Sequence, residues 1–188
     1  MAGTLEAALA TLLREPAKIT GAGRTDSGVH ATGQVVSFST RNDFPVERLA
    51  VALNALLPPD CSVRDAARME NDFSARFSAI ERTYEYAILN RPQRSALTSR
   101  YACHVARPLD ADALRDAGAR LLGEHDFRSF ASAARPSDAI SAILAGRDRT
   151  AAGPTAPAAG LCLAGVRYRN GYDSYAPHPL WQANSLAP

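Results

Sequence analysis

The 188 residues make room for one domain or two small subdomains, and 46% hydrophobic residues supply a core. A formal net charge of +2 does not by itself announce a nucleic-acid binder. Three scattered cysteines, Cys61, Cys103 and Cys162, with no CxxC and no Cys/His cluster, argue against a zinc site and a disulfide framework.

The chain opens on MAGTLEAALATLL, which has neither a basic leader nor a long apolar run. A signal peptide or membrane span is not expected, and the expected compartment is a reducing cytoplasm. Leu5, Leu9, Leu12 and Leu13 recur at helical spacing with Ala8 on the same face. Thr4 is the expected cap and Glu15-Pro16 the break. Lys18 to Thr20 reads as a short strand that enters a glycine-rich turn. Gln34 to Phe38 reads as another, with Val36 and Phe38 on one face. Asn42 to Pro45 opens a helix with Pro45 in its first turn and a stripe of Val46, Leu49, Leu53 and Leu56. After a Pro58-Pro59-Asp60 turn, Cys61 to Ala67 and Thr83 to Ile88 read as strands. The second puts Tyr84, Tyr86 and Ile88 on one face. A helix from Asp110 to Leu122, capped by Asp110 and ended by Gly123, is expected to turn Leu114, Ala117 and Leu121 inward. A short helix over 138–144, a loop over 151–160, a strand over Leu161 to Val166 and an irregular tail over 169–188 complete the expectation. The mixture predicts an α+β fold over residues 1–168, mainly antiparallel sheet with flanking helices.

Residues 21–38, GAGRTDSGVHATGQVVSF, place one carboxylate, Asp26, among glycines with Arg24 two positions before it. The stretch is not a P-loop, because it lacks Gly-Lys-Ser/Thr and a following helix. It is not a dinucleotide-binding turn, because it leads into a strand. Two readings stay open on the residues alone. One is a tight turn in which Asp26-Ser27-Gly28 caps its own backbone. The other is a fixed carboxylate, kept ionised by the nearby guanidinium, that attacks as a nucleophile where glycine lets a ligand approach.

GRTDSGVHATGQVVSF resembles the GRTD-x-GVHA signature of the TruA-type tRNA pseudouridine synthases. The resemblance continues, in family order, through ALNALLPPD, DFSARFSAIERTYEYAILNRP, LLGEHDFRSF and RDRTAAGPTAPAAGLCLAGVRY, over most of residues 4 to 168. It implies a pseudouridine synthase-like fold and isomerisation of uridine to pseudouridine in the anticodon stem-loop of tRNA. It implies no metal or organic cofactor, no membrane, and a homodimer with tRNA lying across both subunits. The family's catalytic aspartate falls on Asp26 and its active-site tyrosine on Tyr84, which would lie against the uracil. Arg24 would orient Asp26 or contact the flipped-out nucleotide. His30 is expected to bond locally and hold the turn. Arg76, Arg82 and Arg91 are candidates for phosphate contacts, weighed against simple solvated charge.

The resemblance also has gaps. Family members begin with a strand carrying a YDG…F.GWQ-type motif, ahead of the helix that here starts near Thr4. After the block ending at Phe130 they continue with two further strands and a helix bearing a MVRNIVG-type motif, whose arginine pairs with the catalytic aspartate. Here the chain runs from Phe130 almost directly into the helix expected at 138–144. The reading is of a chain truncated at its N-terminus and internally deleted near residue 137, without that arginine.

Overall fold

In the computed structural model, residues 1–127, 155–169 and 171–177 are described. Helix α1 (Ala2–Leu13) follows the leucine spacing and ends at Arg14, which turns into the left-handed region at φ 55°. It begins before the expected Thr4 cap. Alanine is the strongest helix former, so Ala2 extends the first turn, and no side chain caps it. Ala8, Leu9 and Leu13 pack with Leu49 and Leu53 of α2 (Val46–Asn54), and Leu5, Leu12, Phe38 and Phe44 close around them. Burying a leucine such as Leu9 contributes roughly 1.5–3 kcal/mol. Pro45 stands at the N-cap of α2 rather than within its first turn. Leu56 lies past the end of that helix and is exposed, while Leu57 reaches the core instead.

The strand expected over Cys61 to Ala67 does not form. A single side chain does the pairing: the Asn54 amide donates to the Val63 carbonyl at 2.7 Å and accepts from the Val63 N–H at 2.7 Å. That satisfies backbone a partner strand would otherwise satisfy.

Among the described residues seven strands form: β1 (Thr20–Gly21), β2 (His30–Ala31), β3 (Val36–Ser37), β4 (Ala79–Tyr86), β5 (Ile88–Asn90), β6 (Cys103–Val105) and β7 (Leu161–Tyr168). Among the described residues the strands lie in three small sheets rather than one, with one antiparallel pair and one parallel pair among them. β1 and β3 pair antiparallel, with Thr20 opposite Ser37 and Gly21 opposite Val36. A three-stranded sheet has the order β2-β7-β4. β5 and β6 pair parallel, Ile88 opposite Cys103. Residues 91–102 give the chain enough length to return and run in the same direction, which a tight hairpin forbids. The strand read as continuous from Thr83 to Ile88 is interrupted at Ala87, whose N–H donates to Gly160 and whose carbonyl accepts from Cys103.

Helix α3 (Ala111–Ala119) is capped by Asp110, whose carboxylate accepts from the Asp112 and Ala113 amides at 3.0 and 2.9 Å. It is shorter than expected, it buries Ala117, and Leu114 is exposed.

The chain divides into two units. The first comprises Met1–Arg24, Ala31–Thr83 and Ala164–Ala176; the second comprises Thr25–His30, the described residues from Tyr84 to Leu163, and Pro177. The division cuts β4 between Thr83 and Tyr84 and β7 between Leu163 and Ala164. In the first unit the segment after β7 folds back along it. Ser174 donates its amide to Val166 at 3.1 Å and Ala176 donates to Ala164 at 2.8 Å. The buried Ser174 hydroxyl donates to Gly33 O at 2.6 Å and accepts from Val166 N at 2.9 Å. Gly33 is required there, since a Cβ would stand 2.1 Å from Ala164 O. The Tyr168 hydroxyl donates to Ala75 O at 2.8 Å, and burial pushes its pKa up to about 12.

Among the described residues no helix is long and apolar enough to cross a membrane. The helix expected at 138–144, the join near 137, the end of the LLGEHDFRSF block, the RDRT motif and the tail from 178 lie outside the described residues.

Candidate active site

The glycine-rich stretch is closed at its base in the first unit. Above the β1/β3 pair, Ala22 N donates to Val35 O at 2.8 Å and the Gln34 amide donates to Gly23 O at 2.8 Å. Ala22 is fully buried, and its carbonyl accepts from Arg82 Nε at 2.8 Å. The same guanidinium donates to Arg76 O at 2.7 Å. Two of the five Arg82 donors are thus committed to backbone carbonyls. Arg91 donates to Gln93 O at 2.9 Å, and Arg76 lies over the Phe77 ring at 5.5 Å. Arg24 is exposed at the last position of this unit's opening segment.

Asp26 and Tyr84 both belong to the second unit. Asp26 opens a four-residue turn in which Val29 N donates to Asp26 O at 3.1 Å. Gly28, at the third position, has φ 84°, a conformation costly for any residue with a Cβ. Asp26, Ser27 and Gly28 are all exposed, so the carboxylate is accessible rather than sealed in the core.

Tyr84 lies in β4 on the less covered face. It is 45% exposed, whereas Glu85 is 8% exposed and Ala87 is buried. A core role for this tyrosine is thereby excluded. β7 stands between the strand of Tyr84 and the strand that starts at His30, two strand spacings or about 10 Å.

Residues 157–160 connect the two elements. The Tyr86 hydroxyl donates to Pro157 O at 2.8 Å, and Ala87 N donates to Gly160 O at 2.9 Å. Burial raises the Tyr86 pKa, with Cys103 contributing, so the phenol stays a neutral donor. Ala158, within the same short 3-10 turn (Ala158–Gly160), faces the Asp26 turn: a Cβ at Gly28 would stand 3.4 Å from the Ala158 Cβ. One tight segment thus touches the turn that presents the carboxylate and the end of the strand that presents the tyrosine. The sequence reading took these residues for part of a loop. The usable signal was the small-residue run Ala158-Ala159-Gly160, which allows such close approach.

His30 was expected to bond locally. Its Nε2 instead donates to Arg100 O at 2.6 Å, seventy residues away in sequence, and its ring lies 4.8 Å from that of Tyr101.

Comparison with known proteins adds an independent line. A family model described as tRNA pseudouridine synthase matches residues 2–78. The tRNA pseudouridine synthase A of Moorella thermoacetica is 38% identical over 216 aligned positions, covering 88% of this chain and 88% of that protein. That of Bacillus pumilus is 35% identical over 218 positions, with 88% of each chain covered. That of Caldicellulosiruptor bescii is 44% identical over 131 residues, covering 70% of this chain and 54% of the relative. The first two alignments are longer than the whole 188-residue chain, so these relatives carry several tens of residues that face gaps here.

Proposed function

The chain belongs to the tRNA pseudouridine synthase family, and on that premise we propose that it converts uridine to pseudouridine in the anticodon stem-loop of tRNA, with Asp26 as nucleophile. The reading is carried by an exposed carboxylate on a glycine turn and an exposed tyrosine on β4, with residues 157–160 lying close to Gly28 of that turn and hydrogen-bonded to Tyr86 and Ala87 at the end of that strand.

A stacked uridine must leave its helix before its glycosidic bond is reachable, at a cost of a few kcal/mol. The Tyr84 ring is placed to recover part of that cost, since stacking on an aromatic face is worth about 1–3 kcal/mol per base. Asp26 then attacks the flipped nucleotide and the bond from the sugar carbon to the uracil nitrogen breaks. The uracil turns, carbon five bonds to the sugar carbon, the bond to Asp26 breaks and returns the carboxylate, and the proton on carbon five is lost with Tyr84 beside it while the freed ring nitrogen takes up a proton. Arg24 is assigned to orienting Asp26 or to the nucleotide's phosphate. No step needs a metal or organic cofactor. A homodimer and a cytoplasmic location accompany the same reading.

The test is turnover on a tRNA transcript by the full chain. Asp26→Asn is expected to lower pseudouridine formation by more than about 10³-fold while leaving salt-dependent tRNA binding intact. A parent chain with no turnover on any tRNA overturns the enzymatic reading.

A second reading is an inactive or RNA-binding-only truncated remnant of such an enzyme. One observation favours it: the residues that the relatives carry and this chain lacks. The arginine expected to pair with the aspartate belongs to such a segment. Salt-dependent tRNA binding with no product would support this alternative, and normal turnover would eliminate it.

A further inference from the structure

We propose that His30 is a positioning residue for the nucleophile, tethering the Asp26 turn to the turn at Thr98–Ala102. The inference rests on reading Asp26 as the attacking group.

The turn that carries Asp26 is held within itself by one backbone hydrogen bond, Val29 N to Asp26 O. Exposed and half-exposed residues on one such bond belong to the least stable parts of a fold, so the position of the turn depends on what its ends are tied to. His30 immediately follows Val29, and its Nε2 donates to Arg100 O at 2.6 Å. The same ring lies against Tyr101, centroids 4.8 Å apart and planes inclined by 41°. The bond fixes one ring atom, and the tilted contact with Tyr101 restrains the ring plane.

The anchor is itself rigid. Tyr101 N and Ala102 N both donate to Thr98 O, at 2.9 and 3.0 Å. Ala102 is buried, and the next residue, Cys103, enters β6 and donates to Ala87 O at 2.9 Å. The tether therefore ends in paired strands. Gly28 of the Asp26 turn lies close to Ala158. His30 also begins β2, which pairs with β7, so the sheet holds the backbone end of the turn and the His30 side chain adds a second hold.

The geometry also rules on chemistry. A carbonyl accepts only from a nitrogen that carries hydrogen, so Nε2 is committed as a donor. His30 is thus a positioning residue, not a proton acceptor at that atom. A displacement of about 1 Å at a reacting group can cost on the order of 10²-fold in rate.

The experiment compares the full chain with His30→Ala, Tyr101→Ala and His30→Gln. It measures steady-state pseudouridine formation and amide hydrogen exchange at Val29. Expected for His30→Ala is a fall of about 10²-fold in kcat with KM for tRNA within about twofold. Val29 exchange should accelerate while α1 amides stay protected. Tyr101→Ala should shift both readouts the same way, and His30→Gln, which retains a donor, should recover part of each. Unchanged kcat together with unchanged Val29 exchange in His30→Ala overturns the proposal. So does a rise in KM at constant kcat, which would assign His30 to RNA binding. If the parent chain has no turnover, the nucleophile reading fails separately. Val29 exchange then decides the tether: acceleration in His30→Ala supports it, and parent-like protection overturns it.

Discussion

Tyr84 and Glu85 are adjacent in β4 and leave it on opposite faces, the tyrosine 45% exposed and the glutamate 8%. The inversion is unusual for a strand. The aromatic side chain has the larger hydrophobic gain from burial, yet the acid holds the covered face. A half-exposed ring contributes little to the fold and is free to meet a ligand. Tyr84→Ala is expected to lower kcat/KM for tRNA modification by roughly 10- to 100-fold through loss of stacking. Its unfolding free energy should stay within about 0.5 kcal/mol of the parent. Tyr84→Phe should retain the stacking share. A urea titration beside the turnover assay separates the two effects.

Gly28 holds the Asp26 turn in the left-handed region at φ 84°. An L side chain there costs about 1–2 kcal/mol. Gly28→Ala is therefore expected to lose activity out of proportion to stability, because the strain falls on the turn that aims the carboxylate. Thermal denaturation and single-turnover kinetics on the same preparation check it. A variant that keeps parent turnover would show that the turn's conformation is immaterial.

The Ser174 hydroxyl lies between β7 and Gly33, donating to one backbone group and accepting from another. Ser174→Ala leaves Val166 N and Gly33 O without that partner in buried surroundings. The expected loss is about 1–3 kcal/mol of stability, seen as a lower urea midpoint at unchanged slope. No direct effect on tRNA binding is expected.

Alkali should destabilise the fold through its buried phenols. Burial raises Tyr168 from an ordinary pKa of 10.0 to about 12, and raises Tyr86 as well. The folded state holds the proton more tightly than the unfolded chain. The stabilisation is thus fully present below pH 10 and is lost as pH climbs through about 12. Tyr168→Phe should lower stability at neutral pH by about 1 kcal/mol, for the lost bond to Ala75 O. It should also flatten the decline above pH 10. Equilibrium unfolding across pH 8 to 12 tests both, and an equal alkaline decline in the variant would contradict the assignment to Tyr168.

Several elements could be read directly because their information is local. The 3.6-residue recurrence of leucines locates α1 and α2, Asp110 caps α3 as expected, and the apolar run at Leu161 becomes β7. The turn at Asp26 was legible for the same reason, since glycine spacing dictates backbone conformation within a few residues. The strand at Cys61 was misread because propensity is silent about partners, and Asn54 fills that role from a helix end. The parallel pairing of β5 with β6 was missed because direction depends on how residues 91–102 return.

A carboxylate in a glycine turn, a tyrosine on a strand and an ordered set of family motifs are all legible along the chain. Alternation along β4 separates Tyr84 from Glu85 but carries no information on which of the two is covered. Folding settles which side is covered, brings His30 to Arg100, and sets residues 157–160 close to Gly28 of the Asp26 turn and in hydrogen bonds with the end of β4. The physical reason is range. Backbone preference and side-chain period act over a few residues, whereas coverage of a face and the anchoring of a turn depend on segments seventy or more residues away that meet only when the chain folds.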